Sequence, residues 1–252
     1  METRKLKEKE FHNVAFRDLT REKVDKYYSI WGRTIEFYQD RLAARCKGKK
    51  VLEYGCGTGS QSFFLAQMGA EVTGIDISDI AIQKAREEAR AKGLVDITYE
   101  VMDAESLTFQ DHSFDIVCGS GILHHLNLTR AFSEIARTLL PQGEGIFIEP
   151  LGHNPLINLY RRLTPGMRTK DEHPLLVSDL ELAQQYFSSI DIHYFNLTTL
   201  MAVPLRGLPI FNRLLQGLQT FDDRIFRSVP LARRFAWIAA VTLQKPLVRP
   251  YQ

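Results

Sequence analysis

Between residues 51 and 149, short apolar runs alternate with stretches of helical period. Val51–Tyr54, Glu71–Asp76, Ile97–Val101, Phe114–Cys118 and Gly145–Glu149 read as strands, because each is short, apolar and bounded by turn-forming residues. The segments between them carry helix punctuation. Gln61–Met68 closes on Gly69, Ile80–Lys92 opens on Ser78 and closes on Gly93, and Thr129–Leu140 stops at Pro141 and Gly143. Ile122–Leu126 also reads as helical. Five strands alternating with helices predict a mostly parallel sheet covered on both faces. Ile190–Leu197 and Phe235–Leu243 alternate like a sixth and a seventh strand.

The flanks differ from this regular middle. Residues 17–45 read as helical, with apolar and aromatic residues recurring from Val24 through Tyr27, Tyr28, Trp31, Ile35, Phe37 and Tyr38 to Leu42. Because they precede the first strand, residues 1–46 form an N-terminal extension able to fold over a site as a lid. Residues 47–252 form the main domain. Residues 150–177 make a long connection with Pro155, Pro165 and Pro174, and Ser178-Asp179-Leu180-Glu181 is a capping box for a helix to about Phe187. Residues 198–234 are apolar and basic at helical spacing, an insertion before the last strand that suits a substrate lid; dimer-face and membrane-surface readings stay beside it. The chain shows no internal repeat and no separate second domain.

Composition narrows the class. The 252 residues, 44% hydrophobic and 25% charged, fit one α/β domain with additions. The net charge of +2 is unevenly spread: +6 over residues 1–50, −10 over 51–197 and +6 over 198–252. An acidic middle suits a cationic ligand, and the basic ends suit an anionic partner or a solvated tail at Met1–Lys9. The charge is too modest, and lacks the aromatic–basic stripe, for a nucleic-acid target. Cys46, Cys56 and Cys118 give neither a disulfide framework nor a paired metal spacing. No apolar stretch approaches the roughly 20 residues of a membrane span. A cytoplasmic protein without a metal is the expectation.

The chemistry is concentrated where the first strand meets Gly55-Cys56-Gly57-Thr58-Gly59. A glycine-rich turn between strand and helix offers backbone N–H groups and lets a ligand approach closely. Glu53, just before it, would repel a pyrophosphate but welcome an ammonium. The Gly-x-Gly-x-Gly spacing also departs from the dinucleotide fingerprint. Asp76 lies at the end of the next strand, about 20 residues after Gly55, where a carboxylate meets a ribose. Asp103, Ser120 and Glu149 fall at or just beyond the following strand ends.

VLEYGCGTGS, followed in order by GIDIS, VMDAESL and FDIVCGSGILHHL, resembles the class I S-adenosylmethionine-dependent methyltransferases of the small-molecule type, similar to the ubiquinone and menaquinone methyltransferases. The resemblance runs from about Lys50 to Glu149 and extends toward Leu243. It implies a Rossmann-like three-layer α/β sandwich with a seven-stranded, mostly parallel sheet and an antiparallel last strand. It further implies S-adenosyl-L-methionine as cofactor. Glu53 and the backbone of Gly55, Cys56, Gly57 and Gly59 would lie beside the methionine moiety, with Cys56 a small turn residue. Asp76 would accept the ribose hydroxyls with Ile77 against the adenine. Asp103 and Ala104 would hold the adenine edge, and Ser120 would face the methionine end.

The expected reaction is methyl transfer to an O, C or N acceptor on a small hydrophobic or amphipathic molecule. A non-catalytic cofactor-binding module and a methyltransferase acting on protein are the alternatives. His125 and His124 are the candidate bases, since imidazole accepts a proton near neutral pH; a structural pair is the competing reading. Tyr28, Trp31, His153, Arg161 and Arg168 are the candidate substrate contacts, the arginines being able to clasp an anionic group. Peripheral membrane contact and a homodimer are compatible with the apolar insertion.

Overall fold

A computed structural model of the chain describes residues 3–18, 29–164 and 173–247. Seven strands form one sheet: β1 (Lys50–Tyr54), β2 (Glu71–Asp76), β3 (Ile97–Val101), β4 (Phe114–Ser120), β5 (Leu139–Pro150), β6 (Phe187–Phe195) and β7 (Ile238–Pro246). Their spatial order is β3-β2-β1-β4-β5-β7-β6. β1 runs parallel to β2 and β4, β2 to β3 and β4 to β5, while β7 is antiparallel to both β5 and β6. The sheet is the predicted one, antiparallel last strand included.

Alternation along the strands builds two cores. Leu52, Tyr54, Val117 and Phe147 face one side with Phe132 and Ile135, whereas Val51, Val72, Cys118 and Ile148 face the other with Tyr38, Leu42 and Leu65. Both sets are buried because helices cover both faces, which is why β1 reads as a continuous apolar run. The covering helices, with the helix at the chain's start, are α1 (Thr3–Asp18), α2 (Gly32–Cys46), α3 (Ser60–Gln67), α4 (Asp79–Ala91) and α5 (Leu128–Thr138). α4 shows the local logic: Ser78 Oγ accepts from Ala81 N at 3.0 Å, and Ala81, Ile82, Ala85 and Ala89 form the buried stripe.

Three differences from the sequence reading have physical causes. Residues 3–18, whose first part read as a charged tail, are helical; α1 is held by polar ties to the sheet's carboxyl end, which no apolar period announces. The helix expected from Ser178 opens one residue earlier, as α7 (Val177–Ala183), because Asp179 Oδ2 reaches back to accept from Leu176 N at 2.7 Å. α6 (Pro155–Leu163) occupies the start of the long connection, capped by Asn154.

The 198–234 segment folds as a 3-10 turn at Thr199–Leu205, α8 (Phe211–Ser228) and a second 3-10 turn at Pro230–Phe235. Buried Asp222 anchors it, accepting from Leu197 N at 2.9 Å and Thr198 N at 2.8 Å. Arg33 of α2 pairs with Asp223 at 2.7 Å. Among the described residues, no helix is long and apolar enough to cross a membrane.

Candidate active site

The strand order reverses direction between β1 and β4, and ligands of open α/β sheets bind at the carboxyl ends beside such a switch. A cavity of about 360 Å³ lies there. Its floor is the turn after β1. Gly55 and Gly57 take φ of 60° and 54°, the left-handed region that glycine enters without strain. At Gly55 space is limiting as well: a Cβ would sit 2.8 Å from Ile122 Cδ1. The turn is fixed by Cys56 N donating to Ile75 O at 2.9 Å and by Gly57 N donating to Asp76 Oδ2 at 3.0 Å.

Three carboxylates stand on successive strands around this floor. Glu53, at the end of β1, is buried and accepts a hydrogen bond from Ser62 Oγ. Burial, opposed by that bond and reinforced by the negative charge of Asp76, pushes its carboxyl up to about 8. Among the described residues no cation is paired with Glu53. Asp76, ending β2, also accepts from Ser78 N at 2.8 Å through Oδ1, so each of its oxygens already holds the turn on one side. Asp103, just beyond β3, accepts from Glu105 N at 2.9 Å and from Lys5 Nζ at 2.5 Å. Glu53, Gly55, Cys56, Gly57, Asp76, Ile77, Asp103, Ala104 and Ser120 all line the cavity. Gly59 does not: with φ 89° it is the N-cap of α3, and its role is to start that helix.

Residues 51–143 match the family model described as a methyltransferase domain. Residues 51–143 thus carry a methyltransferase domain, of the kind found in the class I S-adenosylmethionine-dependent methyltransferases that the chain resembles. It is 29% identical over 203 residues to a glycine/sarcosine/dimethylglycine N-methyltransferase of Actinopolyspora halophila, covering 67% of this chain and 36% of that one. A ubiquinone biosynthesis O-methyltransferase of Bordetella avium (strain 197N) is 32% identical over 155 residues, 58% of this chain and 64% of the relative. The chain thus spans between about a third and two thirds of the length of the curated relatives it matches. Among solved structures, phosphoethanolamine N-methyltransferase 2 of Haemonchus contortus, in complex with phosphomonomethylethanolamine and S-adenosylhomocysteine, superposes with a TM-score of 0.65. That match covers 92% of this chain and 59% of the neighbour at 20% identity, a likeness of fold.

The family's cofactor is S-adenosylmethionine, and the donor set of this cleft fits it. A buried carboxylate without a cation suits the methionine ammonium, Asp76 suits a vicinal diol, and Asp103 suits an amino edge.

The two adjacent histidines are not equivalent. Fully buried Glu149 accepts from Ile122 N and Leu123 N, both at 2.8 Å, through Oε1, and its Oε2 meets His124 Nδ1 at 2.8 Å. Glu149 thus shapes the turn after β4, and His124 is a buried strut of that turn, outside the cavity lining. His125 does line the cavity, with Nδ1 2.7 Å from Glu8 Oε1 of α1. Burial lowers its pKa, and neighbouring His124 and His12 act in the same direction against Glu8.

The described candidate substrate contacts, Trp31, His153 and Arg161, lie apart from the cleft wall. Trp31 packs edge-to-face on Trp237, ring centroids 5.6 Å apart. Arg161 donates to Leu151 O and Asn158 Oδ1, stiffening α6, and His153 Nε2 accepts weakly from Val177 N at 3.4 Å. Tyr28 and Arg168 lie outside the described residues. Among the described residues, none of 150–177 or 198–234 lines the cavity. Within the N-terminal extension read as a lid, the residues that the sequence reading did not name are those of α1: Arg4, Lys5, Glu8, His12 and Phe16 all line the cleft. The signal was present in Glu8 and His12, polar groups four residues apart and so on one helical face.

Proposed function

We propose that the protein transfers the methyl group of S-adenosylmethionine to an O, C or N acceptor on a small hydrophobic or amphipathic molecule. The observation that carries this reading is the buried carboxylate of Glu53, paired with no cation among the described residues, with Asp76 and Asp103 continuing the cleft on adjacent strands. This array matches a ligand with a cationic end, a diol and an amino edge. The bound cofactor supplies the reactive methyl group; the chain holds the acceptor in line and excludes water. α1 roofs the cleft with Phe16 over the glycine turn, which serves that exclusion.

Where the acceptor loses a proton, His125 is the base that position favours, because it lines the cavity while His124 is committed to Glu149. α6 and the 198–234 segment leave apolar side chains exposed, among them Leu156, Ile210 and Phe221, outside the cavity lining, so the hydrophobic character of the acceptor rests on the sequence reading of that insertion. The relatives act, by their names, on glycine derivatives and in ubiquinone biosynthesis, so kinship leaves the acceptor atom open.

The deciding experiment follows S-adenosylhomocysteine production by the purified chain, supplied with S-adenosylmethionine and organic-solvent or aqueous fractions of a cell extract. Turnover with the organic fraction is the expected result. Tight cofactor binding with no turnover on any fraction identifies a binding module instead. Turnover confined to the protein fraction identifies a protein methyltransferase.

A further inference from the structure

We propose that Glu8, His12 and His125 form a site for one divalent first-row transition-metal ion, bridging α1 to the turn after β4. Glu8 and His12 are four residues apart on α1, so both side chains leave the same helical face. His125 ends the 3-10 turn at Leu123–His125 and faces them across the cleft. Glu8 Oε1 is 2.7 Å from His125 Nδ1 and 3.6 Å from His12 Nε2, and the three ligand atoms lie within 4.8 Å of one another. Nitrogen and oxygen ligands held about 2.0–2.2 Å from one ion are themselves about 3–3.5 Å apart. Small side-chain rotations bring this set to that spacing.

The contact between Glu8 and His125 is also unlike an ordinary hydrogen bond. Despite the 2.7 Å separation, the carboxylate oxygen lies out of line with the ring N–H direction, and His125 Nδ1 has no aligned acceptor. Two electron-rich atoms held close but not aimed at each other suit a third centre between them. The surroundings support ligation. His125 is also braced: Arg4 Nη1 donates to its carbonyl at 2.8 Å, and its ring lies 4.1 Å from that of His124, itself fixed by Glu149. Two imidazoles and one carboxylate favour zinc, iron, cobalt or manganese over magnesium or calcium, and leave coordination positions open. All three residues line the cavity, so those positions face the cleft.

Such an ion would fasten α1 over the cofactor cleft and offer a Lewis-acidic position beside it. Metal binding itself does not depend on the methyltransferase reading, so the test reads the metal directly. Tag-free protein is stripped with a chelator and titrated with Co²⁺, followed by visible absorption and calorimetry. One Co²⁺ per chain is expected, with affinity falling at least about tenfold in His12→Ala and in Glu8→Gln. His173→Ala, on an exposed histidine outside the set whose ring pairs with Asp179, should bind as the parent does. Circular dichroism melting verifies that each variant is folded. Absence of stoichiometric binding, or equal affinity in the parent, His12→Ala and Glu8→Gln, overturns the site and leaves the cluster an ion-paired strap.

Discussion

Lys5 Nζ lies 2.5 Å from Asp103 Oδ2, so α1 is tied to the carboxyl end of β3, where the adenine is proposed to lie. The same ammonium is 3.1 Å from Glu105, which also receives Arg4, and Lys9 pairs with Asp79 at 2.9 Å. α1 is therefore a roof fastened chiefly by charge. Partly exposed pairs are worth on the order of 1 kcal/mol each and weaken as salt screens them. Dissociation of S-adenosylhomocysteine, measured by stopped-flow fluorescence, should quicken with ionic strength and by about fivefold in Lys5→Met. A rate indifferent to both would mean that α1 does not gate the cleft.

Asp76 carries two duties, and a pair of substitutions separates them. Its oxygens hold Gly57 N and Ser78 N, which sets the glycine turn before any ligand arrives. Asp76→Ala removes both these bonds and those expected to the ribose, so S-adenosylhomocysteine affinity should fall by about 1–3 kcal/mol. Asp76→Asn keeps one acceptor oxygen and should recover part of the loss. Calorimetry showing an Asp76→Ala affinity equal to the parent's would remove Asp76 from the cofactor site.

Glu149 makes a different prediction because it acts on the backbone. It is fully buried and satisfies Ile122 N, Leu123 N and His124 together. Glu149→Ala leaves the N–H groups of Ile122 and Leu123 without this acceptor, a penalty of about 1–3 kcal/mol for each buried group left unpaired. Thermal melting should show a large loss of stability, with Glu149→Gln intermediate since one amide oxygen remains to accept. A melting temperature unchanged in Glu149→Ala would show that water replaces the carboxylate there.

The sheet and its cleft were legible because they rest on local, periodic signals. Apolar runs ending at Tyr54, Asp76 and Val101, each followed within two residues by glycine, serine or acid, give both the strand ends and the residues that gather there. Glu149 shows the limit of that logic. Position at a strand end does not say whether a carboxylate faces a ligand or the adjoining turn, and here it faces the turn. α1 was illegible for another reason. Its only buried apolar side chain among those described is Phe16, so its placement depends on charges that find partners nearly 100 residues away. The 198–234 segment read as a lid because it is apolar, yet its buried anchor is an acid, Asp222, that binds the end of the preceding connection.

Glu53 supplies the pH dependence. Its carboxyl, about 4.5 when unfolded, is pushed up to about 8 in the folded protein, first by burial and then by Asp76. Between those values the folded chain holds a proton that the unfolded chain has released, so this group's stabilisation is complete below pH 4.5 and is lost as pH rises toward 8. The difference in stability between the parent and Glu53→Gln should therefore shrink with rising pH, at up to about 1.4 kcal/mol per unit. Cofactor binding runs the other way. A methionine ammonium favours the ionised carboxylate, so affinity should increase from pH 6 to about 8, with a proton released on binding. Calorimetry of S-adenosylhomocysteine in buffers of different ionisation enthalpy counts that proton. It should be present in the parent and missing in Glu53→Gln; the same count in both would place the ammonium elsewhere in the cleft.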